Sequence, residues 1–336
     1  MKSVYQHTGV LALENGKELV NPEIVYHTYG QLNAEGTNVV WVFHALTANS
    51  DASDWWNGLV GENKLFDPNE YFIVCANILG SCYGSCGPLS LNPKTNKQYF
   101  LDFPMVTIRD MVNAHKLVQA HLGIKKIRFG AGGSMGGYQL MEWAIQDPAL
   151  FDNILLLATS AKESAWGVAI HESQRLALTA DETFSSYTEN AGKNGLKAAR
   201  GIGMLTYRNY ELFKITQDDP EEKVKGHKAA SYIQYQGEKL MNRFNAHSYY
   251  FLTQAMDSHD IGRGHGGIKN AIEKIKSKSL IIGISSDILC PKEEQEFLHQ
   301  LIPHSRLVII DSKYGHDGFL IESERITEEA LKFFVV

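Results

Sequence analysis

The chain has 336 residues, 44% apolar and 21% charged, with 32 basic against 38 acidic side chains and a net charge of −6. That balance excludes a disordered or fibrous chain. With no run of basic residues, it also excludes a nucleic-acid or anionic-membrane footprint, so a small-molecule ligand is expected. The start, from Met1 to Val10, has no apolar core of a secretory signal, and no apolar run approaches the roughly 20 residues of a membrane span. The expectation is a cytoplasmic protein. Cys75, Cys82, Cys86 and Cys290 are too few and too irregular for a disulfide scaffold, and the Cys82/Cys86 pair has no further ligand nearby, so reduced thiols and no metal site are expected.

Taken in chain order, short β-branched or apolar runs alternate with amphipathic stretches, the pattern of a mostly parallel sheet covered on both faces. Val39–Phe43, Tyr71–Cys75, Lys126–Phe129 and Ile154–Leu157 predict four central strands, and Leu280–Ile284 and Leu307–Ile310 predict two more. Between the second and third, Ile108, Met111, Val112, His115, Val118 and Leu122 have helical spacing, opened by Thr107 with Asp110 and closed by Gly123. From 161 to 267 the strand signal disappears and helix formers dominate. Because strands resume afterwards, 1–160 and 268–336 are expected to form one α/β core, with 161–267 as an inserted helical lid.

The most informative segment is Ile127–Gly137, in which a strand runs into Gly132-Gly133-Ser134-Met135-Gly136 and then an apolar-periodic helix. G-x-S-x-G in this context places a serine on a sharp strand-to-helix turn, where small neighbours avoid Cβ clashes and the helix N-terminus favours developing negative charge. Ser134 is therefore the expected nucleophile. It needs a histidine base and an acid to orient it, in the order Ser, Asp, His. His316 follows the last predicted strand, and Asp287 ends the one before it, with Asp311 as a local competitor. For the oxyanion, the Met135 amide and an amide from the loop after Val39–Phe43, at Leu46, are the expected donors. His44 in that loop is expected to pack or hydrogen-bond locally.

The runs Phe43–Thr47, Asn77–Pro88, Asp102–Pro104, Thr107–Val112, Gly132–Gly137 and Tyr314–Asp317 resemble the homoserine O-acetyltransferases of the α/β-hydrolase fold. The resemblance continues through Leu205–Arg208, Tyr235–Leu240 and Asp257–Gly264. It implies ping-pong transfer of acetyl from acetyl-CoA to the L-homoserine hydroxyl, toward methionine, with acetyl-CoA as co-substrate and no bound cofactor. Ser134 would carry the acetyl group, His316 would move protons and Asp287 would orient it. By the same resemblance Arg208 would bind the homoserine carboxylate and Asp317 its amine, and the enzyme would be a homodimer joined through the helical insertion. Three alternatives remain on the same residues. They are an esterase, a transferase using succinyl-CoA or acylating serine, and a non-catalytic binding module.

Overall fold

Val39–Phe43 is buried at every position, as a strand covered on both faces must be. In the computed structural model, which describes residues 1–334, it lies near the middle of an eight-stranded sheet. The strands of this sheet are β1 (Lys2–Gln6), β2 (Glu23–Tyr29), β3 (Val39–Phe43), β4 (Phe72–Ala76), β5 (Ile127–Gly133), β6 (Phe151–Leu157), β7 (Lys278–Ile284) and β8 (Ser305–Ile310). Their order is β1-β2-β4-β3-β5-β6-β7-β8. From β4 through β8 all neighbours are parallel, while β2 pairs antiparallel with both β1 and β4.

The six expected strands are all present, within a few residues of their predicted limits. The antiparallel pair β1 and β2 was not foreseen. In β1 exposed and half-buried residues alternate, with no continuous apolar run to mark it. Its neighbour β2 carries the buried run Ile24, Val25 and Tyr26, which shields the edge of β4.

The longer helices are α1 (Ile108–His121), α2 (Met135–Gln146), α3 (Ala165–Thr179), α4 (Lys193–Tyr207), α5 (Tyr210–Gln217), α6 (Lys228–Met241), α7 (Ala246–Asp257), α8 (Lys292–Leu301) and α9 (Ser323–Phe334). At the start of α1, Thr107 accepts from the Asp110 amide and Asp110 accepts from the Thr107 amide, the expected capping box. Gly123 follows the C-terminus at φ +69°, a left-handed conformation that glycine adopts without strain. Trp41, Phe43, Met111, Leu140 and Trp143 form one apolar layer, and Val40, Val42, Ile282, Ile326 and Phe334 form the other. Alternate residues of β3 thus feed opposite layers. Between β6 and β7 the chain forms α3 to α7, which overlie the C-terminal ends of the parallel strands where Ser134, Asp287 and His316 emerge. Among the described residues no helix is long and apolar enough to cross a membrane.

Candidate active site

Ser134 connects β5 to α2 with φ 54° and ψ −128°, a conformation that non-glycine residues adopt only when their surroundings impose it. The imposition is visible in its neighbours. A Cβ on Gly132 would lie 2.5 Å from the Gly136 backbone, and one on Gly136 would strike the Phe43 carbonyl oxygen. Only glycines allow the turn to close this tightly against β3. The Ser134 amide donates to Leu157 at 3.0 Å, and its carbonyl accepts from the Thr159 hydroxyl at 2.9 Å, which fixes the turn to the end of β6.

Asp287 follows β7 and its side chain is fully buried. Its Oδ1 accepts from the Leu289 and Cys290 amides at 2.8 and 2.9 Å, leaving Oδ2 to accept from His316 Nδ1 at 2.7 Å. Asp311, the competitor, instead accepts from Ser285 and makes no contact with His316. The two loops are joined by Ser286, whose hydroxyl donates to the Ser312 carbonyl at 2.5 Å and accepts from the Gly315 amide at 3.0 Å. Burial opposes the imidazolium form of His316. The charge and hydrogen bond of Asp287, with smaller contributions from Asp317 and Glu163, outweigh it and hold the His316 pKa above its ordinary 6.5.

Leu46 lies three residues past the end of β3 and Met135 opens α2. Neither amide donates to a protein group among the described residues. The loop between them is braced from within. Gln139 Nε2 donates to the carbonyls of His44 and Met135, both at 3.1 Å, while its Oε1 accepts from His115 Nε2 at 3.0 Å. His44 is fully buried, donates from Nδ1 to its neighbour Ala45 at 3.0 Å and accepts from the Ile78 amide at 3.1 Å, as a packing residue would. Burial pushes both histidines down to about 4, so they stay neutral and keep these donor and acceptor roles.

Ser134, His316 and Asp317 open together into a cavity of about 610 Å³, roofed by α3 and α4 and walled by the loop after β3. Here the structure corrects one expectation. Arg208 is not among the residues that line this cavity, and Arg200 is. The reason is helical geometry. Arg200 and Tyr207 lie two turns apart on one face of α4, so both face the cavity, with the guanidinium 5.2 Å from the Tyr207 ring centroid. Arg208 is one residue further on, in extended conformation past the end of the helix. Its Nε lies 3.2 Å from Asp317 Oδ2, an ion pair by distance, but the angle is not that of a hydrogen bond and this Nε has no hydrogen-bond partner. Asp317 is pushed upward in pKa by burial, against the lowering influence of Arg208, His316 and Arg200.

A sequence model of the α/β-hydrolase fold matches residues 38–323. A homoserine O-acetyltransferase from Cyclobacterium marinum is 47% identical over 97% of this chain and 93% of its own length. The chain belongs to the homoserine O-acetyltransferase family. Two solved structures share its fold. One is a homoserine O-acetyltransferase from Bacillus anthracis, with TM-score 0.92 at 23% identity over 99% of this chain and 97% of that one. The other is esterase E22, with TM-score 0.91 at 24% identity over 99% of both chains. A transferase and an esterase on one backbone mean that the fold alone does not separate the two chemistries. In this homoserine O-acetyltransferase family member, the groups that sequence reasoning passed over are Arg200, Gln139 and Ser286. Only Arg200 carried a signal, its two-turn spacing from Tyr207. Gln139 and Ser286 act through contacts with residues distant in sequence.

Proposed function

We propose that the protein transfers an acetyl group from acetyl-CoA to the hydroxyl of L-homoserine by a ping-pong route through acetyl-Ser134, an activating step toward methionine. The observation that carries this is the cavity's charge pattern. The Ser134, His316 and Asp287 constellation opens beside one guanidinium, Arg200, and one carboxylate, Asp317. A zwitterionic acceptor needs a partner of each sign, whereas hydrolysis by water needs neither.

In the first half-reaction His316 Nε2 takes the Ser134 hydroxyl proton as Oγ attacks the thioester carbonyl. The Leu46 and Met135 amides donate to the oxyanion, and Asp287 holds the imidazolium through Nδ1. The intermediate collapses, the C–S bond breaks, and the thiol leaves with the proton from His316. In the second, homoserine binds with its carboxylate on Arg200 and its ammonium on Asp317. His316 removes its hydroxyl proton, the oxygen attacks the acetyl carbonyl, and Ser134 recovers the proton as the product ester departs. The acetyl group travels on the protein itself, so no further cofactor enters the scheme.

We also propose a cytoplasmic homodimer. The dimer is supported by the exposed apolar side chains of Leu205, Tyr210, Ile215 and Tyr235 in the helical insertion. The deciding experiment is a donor and acceptor panel with product masses: acetyl-CoA and succinyl-CoA against homoserine, serine and water. O-acetylhomoserine as the dominant product supports the proposal. Acyl-CoA consumption that is indifferent to any acceptor would establish an esterase instead.

A further inference from the structure

α3 carries Gln174 one turn after His171, and both side chains line the cavity that holds Ser134. Gln174 is 1% exposed, and its Oε1 has no hydrogen-bond partner among the described residues. A buried carboxamide in that state is destabilising unless a ligand completes its hydrogen bonding. Its surroundings indicate which part of the ligand does so. A Cβ on Gly203 would lie 3.0 Å from Gln174 Nε2 and 3.2 Å from the Tyr207 ring, so the carboxamide rests in space that only glycine leaves open. The same Tyr207 ring carries Arg200, whose Nε is also buried without a partner. Two incompletely bonded polar groups therefore flank one aromatic ring at one end of the cavity.

Gln174 is also prevented from moving away. On the turn before it, His171 Nδ1 pairs with Asp257 Oδ1 at 2.7 Å. The next residue, Arg175, pairs with Asp257 Oδ2 at 2.6 Å. Asp257 ends α7, so this stretch of α3 is clamped to a second helix on both sides of Gln174. The site is preorganised without using Gln174 itself.

We propose that Gln174 is a specificity-determining residue for the acceptor, its carboxamide donating an N–H to the carboxylate oxygen that Arg200 leaves free. A carboxamide can turn either end toward a ligand, and an anion held by the adjacent guanidinium selects the N–H end. This deepens the acceptor assignment and rests on it. A guanidinium and an amide donor together define a carboxylate by two directions, which a single cation does not.

The test uses Gln174→Met and Gln174→Glu, assayed with L-homoserine at saturating acetyl-CoA, together with single-turnover acetylation of Ser134 in the absence of acceptor. Gln174→Met should raise the homoserine KM about 10-fold by removing a charge-assisted hydrogen bond. Gln174→Glu should raise it about 100-fold, since a like charge then faces the carboxylate. Ser134 acetylation should stay within about 2-fold in both, which also reports that the variants fold, because it uses the same triad. As a competitive inhibitor, γ-hydroxybutyrate retains the carboxylate and lacks the ammonium, and its Ki should rise by the same factors. A Gln174→Glu variant with an unchanged or lower homoserine KM would mean that the side chain faces the ammonium, and would overturn the proposal. Slowed Ser134 acetylation in both variants would place Gln174 on the acyl donor and overturn it equally. Transfer to homoserine by the unsubstituted enzyme is measured separately, so failure of the acceptor assignment is distinguishable from failure of the Gln174 role.

Discussion

Arg208 holds Asp317 at 3.2 Å from outside the cavity that Asp317 helps to line. The two arginines of this region therefore have different consequences when removed. Arg200→Ala should leave acetylation of Ser134 near normal and weaken homoserine-dependent transfer by about 2–5 kcal/mol, because the substrate carboxylate loses its partner. Arg208→Ala should act through Asp317, whose pKa is already raised by burial and is held down in part by that guanidinium. Without Arg208 the carboxyl moves further up, ionises less at neutral pH and binds an ammonium less well. The homoserine KM should rise at neutral pH and recover as pH is raised. Initial-rate measurements across pH for both variants distinguish the cases, and equal, pH-independent losses would show that both arginines bind the carboxylate directly.

Asp287 raises the His316 pKa, and the reaction needs His316 neutral, so activity should fall as pH drops through a value above 6.5. In Asp287→Asn the charge that opposes burial is gone, and the acid limb should move to lower pH while kcat falls by up to about 10⁴-fold. The stability contribution has the opposite pH dependence. A histidine raised in the folded state stabilises it fully below the unfolded pKa, and that contribution is lost as pH rises through the folded value. Rate profiles and chemical denaturation on the same protein measure the two separately. A limb that stays in place in Asp287→Asn would assign it to another group.

Ser134 keeps its positive φ at a cost in stability, which predicts a trade against activity. Ser134→Gly should remove turnover, on the order of 10⁶-fold, and raise unfolding stability by about 1 kcal/mol by relieving the strain. Ser134→Ala should remove turnover without that gain, because its Cβ remains. Incubation with acetyl-CoA and peptide mass analysis checks the chemistry, and thermal unfolding checks the strain.

Gln139→Leu should lower kcat by about 10- to 100-fold with little change in KM, since it frees the loop carrying the Leu46 amide without touching substrate. It also leaves the His115 donor and the His44 carbonyl unpaired in the interior, which should cost about 1–3 kcal/mol of stability. Stability loss with normal kcat would show that the loop keeps its position without the brace.

The triad was legible because each member sits in a local pattern. Ser134 lies between a strand and a helix among obligatory glycines, and Asp287 and His316 each lie just past a β-branched run. What escaped reading had no such neighbourhood. The strand Lys2–Gln6 lacks an apolar run because it is an edge, half open to water. Arg208 and Arg200 are separated by eight residues of helix, and one residue of rotation decides which reaches the cavity. Gln139 looks like any other polar residue of a helix until the fold brings His44 and His115 to it.

The helices from Ala165 to Asp257 leave the sheet after β6 and return before β7, so Ser134 is contributed before this excursion and Asp287 and His316 after it. The reactive atoms are anchored to the scaffold, whereas Arg200 and Gln174 belong to the excursion. Changes in its length or composition can therefore redraw the set of accepted molecules while bond-making proceeds on an unaltered base. Exchanging this segment between relatives is accordingly a direct route to new acceptors, and the breakpoints it calls for lie beside Leu157 and Lys278.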